Sequence, residues 1–411
     1  MPINLQKLLI QTLNIGQNAF EDQVVVITGA GQGIGLHTAR AFAHLGAIVI
    51  IGELTDKGKT AEDIIRSEGG KAIFHQTDVS DSKSVDRLYD FVMEKFGSIS
   101  TLINNAIFIE EIPIIDMTAE IWDRTMEVNL RGTFLTCRAF LPEMTRKKQG
   151  TIINMISIEA MPGLSAYIAS KQGILGFTRC LSQEVQGSGI KVIAFGPGMV
   201  DTPGIRKVAP GLAPLLGLTE EAFLNLSLHQ AYEGLMPPEH AAAAAVYLAL
   251  YLSEEFHGQE INGYEVLEKA GLIKIELPQI VEEEFNGKDT MVNQNTEELL
   301  KSISLILEET ETEFTKLPVF ARPLARQGFK KKAGMSLSDW KELIANLKIS
   351  SSSLALDIFE RFGNLANYYK EVPREMARFV KDEETMQEII KISRERVKII
   401  GSFQKTIMQS F

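Results

Sequence analysis

Val24-Val25-Val26-Ile27-Thr28-Gly29-Ala30-Gly31-Gln32-Gly33-Ile34-Gly35 is the stretch on which the fold turns. The apolar β-branched run that follows Asp22-Gln23 predicts a strand buried on both faces, as in a parallel sheet. It breaks into a glycine-rich turn and then a helical stretch, Leu36 to Leu45. Strand, tight turn and helix N-terminus together place a pyrophosphate on the helix end. Gly29, Gly33 and Gly35 permit the turn and keep Cβ atoms away from the phosphates. Gln32 and Ile34 complete it. A second apolar strand, Ala47 to Ile51, ends at Gly52-Glu53. Glu53 lies about twenty residues beyond the glycines, where a carboxylate accepts hydrogen bonds from a ribose diol.

Further along stands Ser165-Ala166-Tyr167-Ile168-Ala169-Ser170-Lys171. A helix brings Tyr167 and Lys171 onto one face. An ammonium beside a phenol favours the phenolate and draws the tyrosine pKa down from about 10 towards the working pH. Such a tyrosine gives a proton to a carbonyl or takes one from an alcohol. The spacing alone also suits an ordinary surface pair; the upstream phosphate cradle favours the chemical reading.

With these residues in hand, the chain resembles the short-chain dehydrogenase/reductase family from about Phe20 to Leu272. The family's motifs occur in order: Thr28, Gly29, Gly33 and Gly35; Asp78-Val79 after a strand Lys71 to Thr77; Asn104-Asn105-Ala106-Ile107; Asn129; Ser157 after a strand Thr151 to Ile156; Tyr167 and Lys171; Pro197-Gly198-Met199-Val200-Asp201-Thr202. The resemblance implies an α/β, Rossmann-like doubly wound parallel sheet. It implies that Tyr167 transfers the proton and that Lys171 tunes it and binds the nicotinamide ribose. Ser157 would donate to the substrate oxygen, and Asn129 would hold a water linking Lys171 to solvent. Asp78, Val79, Asn105, Ala106, Pro197, Gly198, Val200 and Thr202 would join the glycine turn in holding the cofactor. Three departures stand out. Ile107 replaces a glycine, the interval from Ser157 to Tyr167 is short, and the chain runs on to Phe411.

NADP needs a cation near its 2′-phosphate. Glu53 would repel that phosphate and Gln32 carries no charge. Lys57 and Lys59 are near, but Glu53 is better placed, so NAD is expected over NADP. The apolar residues of the segment from Pro203 to Pro237, among them Ile205, Val208, Leu212, Leu215, Leu216 and Phe223, predict a lid and a partly apolar alcohol or ketone as substrate.

The chain has 411 residues, 53 acidic and 42 basic side chains and a net charge of −11, which argues against nucleic-acid binding. No apolar run is long enough for a membrane span. The N-terminal stretch carries Asn, Gln and Lys among Leu5, Leu8, Leu9, Ile10, Leu13 and Ile15, which suits a short amphipathic helix packed on the domain and not a signal peptide, so a cytoplasmic location is expected. The two cysteines, Cys137 and Cys180, read as buried free thiols within helices. No metal site is expected.

Beyond Gly271 the pattern changes. An acidic, irregular stretch reads as a linker. Four amphipathic helical periods follow, marked by Leu299 to Leu317, Trp340 to Leu347, Leu354 to Tyr369 and Met386 to Ile407. They could form a bundle of their own, or cover the first domain or another subunit. The expected organisation is an N-terminal helix (1–19), a catalytic domain (20–274), a linker (275–295) and a helical extension (296–411) serving assembly or partner binding. A homodimer or homotetramer is expected, through the helices carrying Asn129 and Tyr167, where Gly173 and Gly176 allow close approach. Two other readings stay open. One is a dinucleotide sensor or scaffold whose extension binds a partner; the other is non-redox chemistry, dehydration or epimerisation, on the same fold.

Overall fold

The computed structural model describes residues 12–13, 15–157, 161–229, 231–273, 296–316, 326, 329–330, 332–345, 352–376 and 383–409. They form two compact units, one mainly before Ile275 and the other mainly from it onward. The first unit holds seven strands: β1 Val24–Thr28, β2 Ile48–Glu53, β3 Lys71–Gln76, β4 Thr101–Asn104, β5 Gly150–Met155, β6 Ile190–Gly196 and β7 Glu260–Asn262. All pairings are parallel, in the order β3-β2-β1-β4-β5-β6-β7. Strand order reverses between β1 and β4, so the crevice beyond their carboxyl ends is where such a sheet receives a ligand.

Its helices are α1 Gly33–His44, α2 Lys57–Ser67, α3 Ser82–Phe96, α4 Ala119–Met126, α5 Gly132–Lys147, α6 Ser165–Glu184, α7 Pro203–Leu215, α8 Glu220–Leu224, α9 Pro238–Tyr247 and α10 Gly263–Lys269. A five-residue π-helical segment, Glu127–Arg131, joins α4 to α5. The expected two-sided burial of β1 is seen in its side chains. Val25 and Ile27 enter a core with Val49, Ile51, Phe42 of α1 and Ala241 to Ala245 of α9. Val26 enters the opposite layer with Ile50, Leu102, Leu88, Phe140 and Val192. Alternation along a strand produces this division. The consecutive alanines of α9 are all buried, and their small side chains let α9 lie close against α1.

The second unit is helical: α11 Thr296–Lys316, α12 Leu337–Ala345, α13 Ser352–Met376 and α14 Glu383–Gln409. Leu299, Ile303, Leu307, Trp340, Phe362, Leu365, Tyr369, Ile400 and Phe403 pack into one core of its own. Of the three arrangements the periodicities allowed, a self-contained bundle therefore accounts for these faces. Arg396 is buried in it, paired with Glu309 at 3.2 Å and Glu313 at 2.7 Å, its guanidinium 5.3 Å from the Tyr369 ring. The linker 275–295, Leu317, Leu347 and most of the N-terminal helix lie outside the described residues. Among the described residues, no helix is long and apolar enough to cross a membrane. Cys137 is buried as expected; Cys180 is exposed, because it falls on the outer side of α6.

Candidate active site

Glycines at the β1 turn serve the protein's own packing first. Gly29 has φ +65°, and a Cβ there would lie 2.6 Å from the Ala106 Cα. One on Gly35 would lie 2.4 Å from the Gly29 carbonyl oxygen and 2.5 Å from Asn105 Nδ2. The turns after β1 and β4 are thereby held together across the switch point. The Thr28 hydroxyl accepts from the backbone N–H of Asn105 at 3.0 Å and of Ala106 at 3.1 Å. Asn105 Nδ2 donates to the carbonyls of Thr28 and Gly29, at 3.0 and 2.9 Å. Gly33, with φ +56°, faces Thr202, whose Cβ is 3.4 Å from the place a side chain would start. Helices α3, α4, α7, α8 and α10 open with a capping side chain, but Gln32 makes no such bond at the start of α1. The Leu36 N–H donates to the Gln32 carbonyl at 3.3 Å, and the first-turn N–H groups ahead of it have no capping side chain, the arrangement that receives an anion at a helix N-terminus.

Glu53 ends β2 against this turn. Its Oε2 accepts from the Gly31 N–H at 3.2 Å, and its Oε1 from the Thr55 N–H and hydroxyl at 3.2 and 3.1 Å. Lys57 Nζ donates to Gln32 Oε1 at 2.7 Å, a cation beside the same turn. Past β3, Asp78 Oδ1 accepts from the Ser80 N–H at 2.9 Å and hydroxyl at 2.6 Å, and Val79 packs against Gly132. Ile107 is 47% exposed, so its side chain turns outward from the Asn105-Ala106 backbone.

Tyr167 and Lys171 lie together on α6, as their spacing predicts. Lys171 is 2% exposed and donates to the Met155 carbonyl at 2.7 Å. Its Nζ is 5.6 Å from the centre of the Tyr167 ring. Burial pushes the Lys171 ammonium down to about pKa 7. The half-buried Ser157 follows the end of β5, which brings it to the sheet edge where Met155 meets Lys171. Asn129 is fully buried in the π segment. Its Oδ1 accepts from the Phe108 N–H at 2.7 Å; its Nδ2 donates to the Phe108 carbonyl and Ser170 Oγ, both at 3.0 Å. Its side chain therefore ties the loop after β4 to α6. A π segment of this kind often marks a functional position.

Pro197-Gly198 leaves β6 beside α10. Gly198 has φ +94°, and a Cβ would sit 2.7 Å from the Tyr264 ring. Val200 bridges to Met236, and Thr202 caps α7 by accepting from the Ile205 N–H at 3.2 Å. Thr202 thus has a capping role of its own, which places it against Gly33. Tyr167 packs with Ile109, Leu164, Ile205 and Leu212, an apolar wall from the loop after β4, the residue before α6, and α7.

Sequence reasoning missed a buried amide network behind this edge. Asn104 and Asn154 pair in register on β4 and β5, with Nδ2 to Oδ1 at 2.8 Å. The Thr136 hydroxyl donates to Asn104 Oδ1 at 2.6 Å, and Asn154 Nδ2 donates to the Thr178 hydroxyl at 2.9 Å. The signal was an asparagine interrupting each of two apolar strands.

A dinucleotide cradle at a switch point with an adjoining tyrosine–lysine helix defines a class, and comparison with known proteins places the chain within it. The family model for short chain dehydrogenases matches residues 23–212. The D-beta-hydroxybutyrate dehydrogenase of Rhizobium meliloti (strain 1021) is 35% identical over 237 residues, covering 55% of this chain and 91% of that protein. The 3-oxoacyl-acyl-carrier-protein reductase of Thermotoga maritima is 34% identical over 247 residues, 59% of this chain and 96% of that one. The structure is similar to that of an actinorhodin polyketide ketoreductase with NADPH, at 28% identity and TM-score 0.55, covering 59% of this chain and 95% of that one. The chain belongs to the short-chain dehydrogenase family.

Proposed function

We propose that the protein is an NAD(H)-dependent oxidoreductase interconverting a small alcohol and its ketone or aldehyde. The observation that carries this reading is the enclosed Lys171 ammonium 5.6 Å from the Tyr167 ring, on the helix packed on β5 and β6. The cofactor's fit is tested by the turn itself. An uncapped α1, glycines whose side chains would collide, and Glu53 anchored at the end of β2 suit a dinucleotide. Gly29, Gln32, Gly33, Ile34 and Gly35 would hold the pyrophosphate, and Glu53 the adenosine ribose. Asp78, Val79, Asn105 and Ala106 would flank the adenine side; Pro197, Gly198, Val200 and Thr202 would flank the nicotinamide. When bound, the cofactor supplies the hydride chemistry.

Tyr167 gives its hydroxyl proton to the carbonyl oxygen as the alcohol forms, and takes it back in the reverse direction. Ser157 donates to that oxygen while charge grows on it. In its protonated form Lys171 stabilises the phenolate, and Asn129 positions the loop through Phe108. The fixed Glu53 carboxylate favours NAD over NADP; Lys57, held on Gln32, is the nearby cation that a 2′-phosphate would have to recruit.

The functional division follows the same reading. Residues 20–274 act as the catalytic domain, 275–295 as linker and 296–411 as an assembly or partner-binding unit. Phe134 and Trp122 are 42% and 37% exposed, and Gly176 of α6 faces open space, which supports assembly of copies through α4 to α6. Two free cysteines accord with a cytoplasmic setting.

Tyr167→Phe tests the reading. Turnover should fall at least about a hundredfold, the scale of lost general acid/base catalysis, with NADH affinity by calorimetry little changed. A variant with near-wild-type turnover would overturn it.

A further inference from the structure

The loop after β4 carries an acidic pair, Glu110-Glu111, to the border of the lid. Glu110 Oε1 pairs with Lys207 of α7 at 3.0 Å. Glu111 turns against Gly211 of the same helix: a Cβ on Gly211 would lie 2.8 Å from Glu111 Cγ and 2.9 Å from its Oε1. The next residue, Ile112, donates its N–H to the Gly163 carbonyl at 2.8 Å, just before the helix bearing Tyr167. Two residues earlier, Ile109 packs in the apolar wall with Tyr167, Ile205 and Leu212. Glu111 thus sits where the loop, the lid helix and the approach to α6 meet.

Its Oε2 is shielded from solvent, and no donor among the described residues reaches it. The cations of the lid helix are engaged elsewhere: Lys207 by Glu110, and Arg206 by Asp201 at 2.6 and 2.8 Å. A shielded carboxylate oxygen without a donor is costly. A bound molecule that brings its own donor removes that cost, and one that brings an anion adds to it.

We propose that Glu111 is a specificity-determining residue of the substrate site, accepting a hydrogen bond from a second donor group, hydroxyl or ammonium, on the alcohol or ketone. The inference rests on the oxidoreductase reading above. It narrows the substrate from a simple apolar alcohol to one with an additional O–H or N–H. It also sets the site against hydroxy acids.

The test uses the full chain with NAD and four matched alcohols: cyclohexanol, cyclohexane-1,4-diol, 4-aminocyclohexanol and 4-hydroxycyclohexanecarboxylate. In the wild type, kcat/KM should favour the diol or the amino alcohol over cyclohexanol, and the carboxylate should be poorest. Glu111→Ala should lower the donor-to-cyclohexanol ratio at least about tenfold, as when a buried acceptor's partner is lost. Glu111→Gln keeps an acceptor without charge. It should retain the ratio for the diol if the donor is a hydroxyl, lose it for the amino alcohol if the donor is an ammonium, and improve the carboxylate in either case. Calorimetric NADH binding establishes that each variant is folded. Wild-type turnover with ratios unchanged in both variants overturns the role of Glu111 and leaves the oxidoreductase reading standing. NADH binding without turnover of any of the four alcohols or their ketones overturns the proposed substrate class, while the oxidoreductase reading stands or falls with Tyr167→Phe.

Discussion

Enclosing a lysine as Lys171 is enclosed sets a pH dependence with an unusual sign. Its folded pKa lies at about 7, against 10.5 for an open lysine, because burial penalises the ammonium. Between those values the unfolded chain holds a proton that the folded protein has released. Stability should therefore rise with pH from about 7 to 10.5, by at most about 1.4 kcal/mol per pH unit. Below that window both states are protonated and the full burial cost is present. Denaturant unfolding of the wild type and Lys171→Met across this range checks it: the difference between them should move in favour of the wild type as pH rises. At Gly29 the expectation is steric. An alanine there meets both φ +65° and an Ala106 Cα at 2.6 Å, so Gly29→Ala should abolish NADH binding in a calorimeter. The glycines, Glu53, Tyr167 and Lys171 were legible in the sequence because each belongs to a local pattern, a turn, a strand end or one helical turn. Glu111 was not. Its meaning depends on Gly211, a hundred positions away in the chain, and on cations that spacing alone does not assign.

Strands β4 and β5 are joined by more than their ladder. Asn104 and Asn154 lie opposite each other with no solvent to serve them, so each amide depends on the other and on Thr136 and Thr178. Asn104→Ala should leave buried donors and acceptors unmatched and cost about 2 kcal/mol or more. The midpoint of urea unfolding reads that loss. As elements, the strands were readable from their β-branched runs, and the structure shifts their ends by a residue or so: β3 stops at Gln76 and β5 begins at Gly150. The helical extension was readable as four periods. Its mutual packing was not, since an apolar stripe such as Leu299, Ile303 and Leu307 states that it must be covered and leaves open by what. The π segment at Asn129 gave no signal either. Its Asn129 bonds to Phe108 and Ser170, both remote in sequence, which local spacing does not reveal.

At the scale of the molecule, two cores imply two cooperative units. A chain ending at Lys274 should remain soluble and bind NADH with near-wild-type affinity, since the first core includes no residue of α11 to α14. Loss of binding on truncation would show that the extension completes the first unit. Conversely, Trp340→Ala should act on the second unit. Trp340 is fully buried, meets the Phe362 ring at 5.0 Å, and donates to the Ala333 carbonyl at 3.1 Å. Its loss should cost that unit about 3–5 kcal/mol and lower one calorimetric transition while leaving the other in place. The all-parallel sheet carries a further consequence, for the order of events in time. β1 lies between β2 and β4, and Val25 meets Thr101 only after the whole of β2, α2, β3 and α3 has been made. The last strand, at Ile261, docks on Phe195 from still further along the chain. Such distant pairings are slow to form, whereas a bundle of successive helices gathers from nearer neighbours. During synthesis the sheet has all its strands while the extension is still emerging, so the slower unit begins first.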